Sequence, residues 1–577
     1  MRTLDRGLIV AILLLVGAPA AAQPDARDYE PVTEAMLLEP PPGDWLMWRR
    51  TYNHWGYSRL DQIDASNVGG LRLAWAWTME PGRQETTPLI HDGMMFLVQA
   101  CDYVEALDVR DGTRIWEYRR DQVEHVARLA CVNRNGALYG DKLFIGTHDA
   151  HLVALNALTG EVEWDVKVGD WTAGQHYSGG PMVIKGRVVA GMSGCYNLNT
   201  RCWVSAHDVE TGEEVWRTYT IPREGEFGYD SWGDVPDEQR RGGSPWNSPS
   251  YDPELNLIYT GVGVPIPWGS VQRGSGDGDV LYTNSTLALD ADTGEIAWYF
   301  QHIPNAAGYL DQPLARLIVV TEVSPGAVEW RNNGITPGRR RKIVTGIPGK
   351  TGIVWALDAA TGAFLWAQPT TPQNVIVDID AENRRVITNE ALKFPQVDEP
   401  VFVCPSYYGG INWQATAYHP GTNLLYAPVN NACMTLTLNE FRDRPGAHHG
   451  SARVALEPAP DIDGQIGQFM AMDLATGEPA WVYRQRAGVA GSVLATGGGL
   501  VFVSDDARRF RAFDARTGDV LWEQILNSSA GGFPVSYMHD GVQYVAIAAG
   551  GGINFRGLTP EIQQPGRGNM LFVFRLP

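Results

Sequence analysis

Apolar runs alternate with short polar turns along almost the whole chain, and one eleven-residue pattern, Ala-x-Asp/Asn-x-x-x-Gly-x-x-x-Trp, occurs seven times. The runs on either side of the turn have strand composition. Asp and Gly are turn residues, because Asp bonds its own backbone and Gly accepts a positive φ. Each copy therefore predicts a β-hairpin. The copies begin at Ala106, Ala154, Ala206, Ala288, Ala356, Ala471 and Ala512.

A repeat of this kind predicts a ring of blades, because one hairpin cannot bury its own faces and a Trp at a fixed place packs between neighbouring blades. The interval between Ala356 and Ala471 is long enough for one more blade with a degraded copy, and NWQATAYHPGTNLLYAPV from Asn412 is its expected trace. The segment LRLAWAW from Leu71 is expected to pair with the C-terminal strands and close the ring. The predicted fold is an all-β, eight-bladed β-propeller with tryptophan-docking blade motifs.

Composition narrows the class of protein without changing this fold. The chain has 577 residues, which a single all-β ring can accommodate as one domain. Its net charge of −20 argues against a nucleic-acid-binding surface. An acidic ring fits a basic redox partner, but it also fits ordinary solubility.

The N-terminus has the pattern of a secretory signal. MRTLDRG is followed by the apolar run LIVAILLLVGAPA and by Ala20-x-Ala22, which predicts a signal peptide over residues 1–22. No other run is long enough to span a membrane. We therefore expect one propeller domain over residues 23–577, exported and periplasmic.

The six cysteines are an even number in a chain predicted to be exported, which favours disulfides. Six cysteines allow fifteen pairings. Position along the chain favours the pairs Cys195–Cys202, Cys404–Cys433 and Cys101–Cys131. No Cys-x-x-Cys-His haem motif occurs, and no Gly-x-Gly-x-x-Gly between a strand and a helix indicates a nicotinamide site.

Longer segments around the repeats resemble the pyrroloquinoline-quinone (PQQ) dependent alcohol dehydrogenases of the methanol and ethanol type. Among them are SNVGGLRLAW, VNRNGALYGDKLFIGTHDAHLVALNALTG, YDPELNLIY and GGLVFVSDDARRFRAFDARTGDVLW. The resemblance implies a central funnel that holds PQQ and one Ca²⁺ or lanthanide ion. It also implies a carboxylate base for an alcohol proton, and an external c-type cytochrome as the electron acceptor.

PQQ has three carboxylates and a flat ring, so it needs cations, hydroxyl or amide donors and a stacking surface. By the resemblance, Arg134 grips a carboxylate, Trp246 stacks on the ring and Lys350 lies beside the quinone oxygens. Taken singly, Arg134 could equally form a salt bridge in a loop, and Trp246 could be one more packing tryptophan. The implied cofactor-binding residues are Glu85, Arg134, Thr147, Ser178, Ser193, Trp246, Lys350, Asn412 and Trp413.

The chain departs from the family at the metal. The position of the metal-binding glutamate is Tyr196, or Asn197 if the loop is aligned from its other end, and the metal-binding asparagine is replaced by Val264. Ca²⁺ prefers several oxygen ligands, including carboxylates. The sequence therefore does not decide whether this chain binds a metal ion. Asn197 and Asp311 are the weak candidates for metal ligands. We expect GSGDGD, with Asp277 and Asp279, to be an ordinary loop.

The chain also departs from the family at the base. The family's base aspartate follows a Trp, whereas Gly308 and Tyr309 stand here, and Tyr309 is a poor base near neutral pH. Asp311 is the nearest carboxylate, so the expected catalytic residues are Asp311 and Lys350, although Asp311 could equally be a turn residue. Arg128 and Leu129 replace the family's vicinal cysteine pair.

These features favour an exported PQQ-dependent oxidation of an alcohol or polyol. The alternative is a non-catalytic propeller scaffold that has lost its metal and base residues. A second alternative is another oxidoreductase or a lyase whose base is Asp311 or a histidine. The histidines around the early blades are His125, His148, His151 and His176.

Overall fold

The computed structural model describes residues 29–121, 131–394, 396–442, 452–552, 555–563 and 568–577. The predicted signal peptide lies outside these residues, as do His125, Arg128 and Leu129. Eight sheets of four or five strands make up most of the described chain. Helix is limited to Glu34–Leu38, Ser270–Arg273 and a few single turns. In the described part, no helix has the length and apolar character needed to cross a membrane.

We number the sheets 1 to 8 along the chain and give their strands from the inside outward. Sheets 1 to 3 consist of Leu89–His91, Met94–Gln99, Tyr103–Asp108 and Arg114–Arg119; Ala137–Tyr139, Lys142–Gly146, His151–Asn156 and Val162–Lys167; and Met182–Ile184, Arg187–Gly191, Trp203–Asp208 and Glu214–Tyr219. Sheets 4 and 5 consist of Ser250–Asp252, Leu257–Gly261, Ser285–Asp290 and Ile296–Gln301; and Leu317–Val323, Arg339–Gly346, Ile353–Asp358, Phe364–Pro369 and Trp330–Arg331. Sheets 6 and 7 consist of Ala417–His419, Leu424–Asn430, Gly467–Asp473 and Pro479–Gln485; and Tyr57–Ser58, Leu494–Thr496, Leu500–Ser504, Arg509–Asp514 and Val520–Ile525.

Sheet 8 joins the two ends of the described chain. Its strands are Val535–His539, Val542–Ala549, Met570–Arg575 and, outermost, Arg72–Thr78. The predicted pairing of the Leu71 segment with the C-terminal strands is therefore confirmed. Because the first long strand completes the last sheet, the ring leaves no unpaired edge at this seam.

The repeat supplies the contacts that hold neighbouring sheets together. In sheet 1, Ala106 is fully buried and lies directly opposite Trp116, and the indole of Trp116 covers Gly160 in the turn of sheet 2. The indole N–H of Trp116 donates to the carbonyl of Ala157, 2.8 Å away. Trp75 of sheet 8 covers Gly112 of sheet 1 in the same way, which closes the ring. The architecture is a β-propeller, and its eight sheets fit the eight predicted blades.

The eighth sheet is not where the sequence placed it. The segment from Asn412 forms no blade of its own, because Ala417–His419 and Leu424–Asn430 are the two inner strands of sheet 6, whose outer hairpin carries the Ala471 copy. The repeat marks only the two outer strands of a sheet, so inner strands that precede a long insert resemble an extra blade. The insert adds the strands Ile376–Asp380, Arg385–Thr388, Pro400–Val403, Ala432–Leu438 and Ala452–Pro458.

An N-terminal segment closes one end of the central channel. The carbonyls of Tyr52, Asn53 and Trp55 accept backbone N–H bonds from the innermost strands of sheets 4, 5 and 6, and the carbonyl of Gly56 accepts one from Leu494–Thr496 of sheet 7, at 2.8–3.1 Å. Arg49 is buried beside them and donates to the carbonyls of sheets 6 and 7. With this end closed, the loops at the other end surround a blind cavity.

Candidate active site

A cavity of about 320 Å³ lies among loops that either join consecutive sheets or connect the second and third strands of one sheet. The ring brings together residues that are far apart in sequence, because each sheet contributes one or two such loops. The side chains that form its wall are mostly aromatic, cationic or hydroxylic. They are Arg83, Val132, Arg134, His176, Ser178, Ser193, Tyr196, Trp246, Tyr309, Asp311, Lys350, Tyr407, Tyr408, Asn412 and Trp413, with Gly552.

One side of the cavity is a buried cation held by a carboxylate behind it. The guanidinium of Arg134 lies 2.7 Å from the carboxylate of Glu85, which is completely buried and does not face the cavity. Arg134 also donates to the carbonyl of Ser178, and its Cζ lies 4.8 Å from the ring centroid of Trp246. Burial lowers the pKa of Arg134, and the charge of Glu85 opposes that shift. Glu85 therefore positions Arg134.

The opposite side is a buried ion pair. Lys350 Nζ donates to Asp311 Oδ2 at 3.0 Å and lies 3.6 Å from the ring centroid of Tyr309. The other carboxylate oxygen, Asp311 Oδ1, accepts the backbone N–H of Val264 at 3.1 Å. Burial lowers the pKa of Lys350, and the charge of Asp311 opposes that shift. The pair places one cation and one carboxylate at the cavity wall.

Two tyrosines, Tyr196 and Tyr309, form a pair at the cavity wall. The side chains of Tyr196 and Tyr309 are hydrogen bonded to each other, and the ring of Tyr309 stacks on Trp268 with centroids 5.0 Å apart. Burial raises the pKa of both phenols, so they stay protonated at neutral pH. Tyr309 is therefore a hydrogen-bond donor, not a base.

Most of the predicted cofactor-binding residues meet at this cavity, and two do not reach it. Ser178 and Ser193 are within hydrogen-bonding distance of each other, with hydroxyl oxygens 3.0 Å apart. Thr147 is buried away from the cavity, and its hydroxyl donates to Asp149. The residues that do line the cavity are Arg134, Ser178, Ser193, Trp246, Asp311, Lys350, Asn412 and Trp413.

The weak metal candidates do not assemble a site. Asn197 does not line the cavity, and Asp311 is committed to Lys350 and Val264. Asp277 is almost fully exposed, consistent with an ordinary loop. Across the described residues, no group of three or more His, Cys, Asp and Glu side chains could hold a metal ion.

The histidines divide between structural and cavity positions. His148 is fixed by Asp102 on one ring nitrogen and by the N–H of Val132 on the other. His151 bonds Asp165 at 2.6 Å. Only His176, of those described, lines the cavity, where its Nδ1 lies 3.0 Å from the carbonyl of Gly174. A histidine base thus has one candidate position.

Sequence reasoning missed the adjacent tyrosines Tyr407 and Tyr408, whose rings lie 4.2 Å apart at the cavity wall. It also missed Arg83, whose guanidinium lies 5.7 Å from the ring centroid of Trp413. The Tyr-Tyr pair directly before the Gly-Gly-Ile-Asn-Trp motif was the available signal, because both share one loop.

The three predicted disulfides are confirmed. Cys101–Cys131, Cys195–Cys202 and Cys404–Cys433 are all bonded, and no described cysteine is free. The Cys195–Cys202 bridge closes the short loop that carries Tyr196 to the cavity.

The cavity fits a flat, multiply anionic molecule such as PQQ. Its cations can bind carboxylates, its serine hydroxyls and Asn412 can donate hydrogen bonds, and Trp246 and Trp413 offer aromatic faces. It does not fit a hard metal ion, since Asp311 is the single carboxylate among the described residues lining it.

Comparison with known proteins agrees with the fold. Residues 45–367 and 464–545 match the family described as "PQQ: Glucose/ethanol/alcohol dehydrogenase, beta-propeller domain". The chain is 34% identical to the quinohemoprotein alcohol dehydrogenase ADH-IIG of Pseudomonas putida, over 95% of this chain and 78% of that protein. It is 32% identical to the lanthanide-dependent methanol dehydrogenase of Methylacidiphilum fumariolicum, over 90% of this chain and 86% of that protein.

Solved structures show the same relationship. The structure of ADHIIG from Pseudomonas putida HK5 matches with a TM-score of 0.85 and 31% identity, over 95% of this chain and 82% of that one. A europium-containing methanol dehydrogenase matches with a TM-score of 0.82 and 28% identity, over 93% of this chain and 99% of that one. The chain therefore belongs to the family of PQQ-dependent glucose, ethanol and alcohol dehydrogenases with a β-propeller domain.

Proposed function

We propose that this protein binds PQQ in the cavity and oxidises an alcohol or polyol. The observation that carries the proposal is the convergence of Arg134, Lys350, two serine hydroxyls and Trp246 on one enclosed space. PQQ, when bound, supplies a two-electron acceptor beside the substrate carbon. Arg134 and Lys350 bind its anionic oxygens, and Trp246 orients its plane.

Asp311 is the residue proposed to receive the hydroxyl proton of the alcohol, at Oδ2. The Lys350 ammonium stabilises the negative charge of this carboxylate, and the N–H of Val264 fixes its orientation. A general base contributes typically about 10²–10⁴-fold to a rate. The partly buried side chains of Tyr196 and Tyr309 restrict water on this side of the cavity, which protects the proton transfer.

The test separates cofactor binding from turnover. Wild-type protein and Asp311→Asn are titrated with PQQ by tryptophan fluorescence, and alcohol-dependent reduction of a dye is then measured. We expect Asp311→Asn to bind PQQ but to lose about 10²–10⁴-fold in kcat. Asp277→Asn, at an exposed loop position, serves as the matched control and keeps full turnover. Failure of the wild type to bind PQQ would leave the scaffold as the better description.

Export of the protein and transfer of the electrons to an acceptor are also part of the proposal. We propose that residues 1–22 are a signal peptide, that residues 23–577 form the mature periplasmic domain, and that a c-type cytochrome accepts the electrons. Mass spectrometry of the periplasmic protein tests the cleavage after Ala22. Anaerobic mixing of substrate-reduced protein with oxidised cytochrome c tests the acceptor, and a rate that falls with added salt is expected for an acidic donor and a basic acceptor.

A further inference from the structure

The carboxylate at the cavity is already paired with a cation of the chain. Ca²⁺ takes about 6–8 oxygen ligands and a lanthanide needs a similar shell. Asp311, the one carboxylate among the described wall residues, already accepts Lys350 Nζ at Oδ2 and the N–H of Val264 at Oδ1. The Val264 side chain contributes no donor atom. An ion entering here would have to share Asp311 with the Lys350 ammonium.

The groups around Asp311 also oppose a second cation. The Lys350 ammonium is 3.0 Å from Asp311 Oδ2 and almost completely buried, so its charge is weakly screened. The neighbouring oxygens belong to Tyr196 and Tyr309, and burial raises the pKa of both phenols, which keeps them protonated. Neutral phenols are weak ligands for a hard cation.

We propose that this chain binds PQQ without a metal ion, and that the Lys350 ammonium, fixed by Asp311, is the positive charge that binds the cofactor's oxygens at this side of the cavity. The inference rests on the proposed function, because it concerns the same cofactor. It makes the ion pair a replacement for the metal of the relatives: a charge built into the chain needs no loading step.

The first test measures PQQ affinity after exhaustive chelation. Wild-type protein treated with EDTA is titrated with PQQ by tryptophan fluorescence, alone and with Ca²⁺ or La³⁺. We expect the same Kd, within about twofold, in all three conditions, since the cation is part of the protein. Binding that requires a metal would overturn this inference and leave the proposed function standing. Absence of binding under every condition would overturn both.

The second test removes the proposed cation. Lys350→Met is expected to weaken PQQ binding roughly 10- to 100-fold, because a charge-assisted hydrogen bond is lost. Lys342→Met is the matched control, since Lys342 pairs with Asp252 and Glu254 away from this cavity. Lys350→Met/Asp311→Asn removes both charges and avoids an unpaired buried carboxylate. Unchanged affinity in this folded double variant would overturn the proposal.

A third test examines the metal alone. Terbium emission sensitised by nearby aromatic rings reports a bound lanthanide. Tyr196 and Tyr309 lie near Asp311, and Trp268 stacks on Tyr309. We expect no saturable one-to-one signal from the wild type. Tyr196→Glu/Lys350→Met exchanges a phenol for a carboxylate and removes the ammonium, so it is expected to gain a saturable signal that Ca²⁺ competes away. A stoichiometric signal from the wild type, abolished by Asp311→Asn, would overturn the proposal.

Discussion

At the scale of single residues, the cavity is organised by charges that are buried in pairs. Arg134 is paired with Glu85 and Lys350 with Asp311, and each pair places its cation at the cavity wall. Buried ion pairs contribute little net stability, but removing one partner leaves an expensive unpaired charge. The pairs therefore serve to place cations where an anion can bind, and they contribute little to the stability of the fold.

The Glu85–Arg134 pair allows function and stability to be separated. Arg134→Met leaves the fully buried Glu85 with only the more distant guanidinium of Arg83, 3.5 Å away, and should cost up to about 3–5 kcal/mol of unfolding free energy, together with PQQ affinity. Glu85→Gln/Arg134→Met should recover most of the stability and none of the affinity. Urea unfolding and PQQ titration measure the two quantities. Recovery of affinity in the double variant would show that Arg134 does not bind the cofactor.

Lys350 gives the cofactor affinity a pH dependence. Burial lowers the pKa of Lys350, so the ammonium loses its proton at a pH below the ordinary value of about 10.5. PQQ affinity should therefore fall as pH rises through that lowered pKa. Lys350→Arg, whose guanidinium stays protonated, should flatten this alkaline limb. If PQQ affinity falls with rising pH equally in the wild type and in Lys350→Arg, a group other than Lys350 is responsible for the pH dependence.

The sequence predicted which loops meet at the cavity better than it predicted which atoms face it. Arg134, Trp246 and Lys350 lie where the family resemblance implied, because the ring fixes the direction of each loop. Thr147 was misjudged because a hydroxyl can turn to a nearby carboxylate, here Asp149, without any change in the motif. The ion pair between Asp311 and Lys350 depends on the rotamers of two side chains in different loops. Spacing along the sequence does not determine those rotamers.

At the scale of elements, the repeat supplies the contacts between neighbouring sheets. The Gly of one copy is covered by the Trp of the preceding sheet. In six of the seven copies, all but the one at Ala471, the carbonyl that follows the Asp or Asn accepts that indole's N–H. This explains why Ala, Gly and Trp recur at fixed positions: Ala makes room across the strand for its own Trp, and Gly makes room for the neighbour's. The pattern thus encodes contacts between sheets as well as a hairpin.

The contact between Gly160 and Trp116 can be tested by substitution. A Cβ at Gly160 would lie 2.5 Å from Trp116, and the residue has φ of +74°. Gly186 has a similar φ of +69° with open space around it. Gly186→Ala should cost about 1–2 kcal/mol from backbone strain alone, whereas Gly160→Ala should cost about 1–3 kcal/mol more. Equal losses in urea unfolding would mean that the indole moves aside freely.

The number of sheets was predictable, but the position of the eighth was not. Seven copies are continuous in sequence, and the eighth outer hairpin is divided between Met570–Arg575 and Arg72–Thr78. A search for a continuous copy cannot find a hairpin whose two strands are the ends of the chain. The segment from Asn412 resembled a missing blade because inner strands share the same strand and turn composition.

At the scale of the whole molecule, the N-terminal segment ties four sheets together at the closed end of the channel. His54 is fully buried in it, and its Nε2 lies 3.3 Å from the sulfur of Met182 in sheet 3. Trp48 packs edge-on against both His54 and Phe533. The segment therefore contacts several sheets, so protonation of His54 affects all of them.

His54 should make the fold sensitive to acid. Burial lowers the pKa of His54 to about 3, while the unfolded chain titrates near 6.5. The unfolded state binds more protons between these values, so stability is complete above about pH 6.5 and falls as pH drops towards 3, by up to about 1.4 kcal/mol per pH unit. His54→Gln should reduce this slope in urea unfolding. His539→Gln, at the partly exposed end of the strand Val535–His539, controls for the substitution itself.

The pairing of Arg72–Thr78 with Met570–Arg575 has a consequence for biosynthesis. Arg72–Thr78 is made early and finds its partner only when the last strand has been made, so sheet 8 stays incomplete until synthesis ends. The same arrangement makes the starting point of the chain arbitrary with respect to the ring. A circular permutant whose old ends are joined by a linker and whose new ends open at the turn of Gly186 should therefore close the same ring, with Arg72–Thr78 and Met570–Arg575 paired as before.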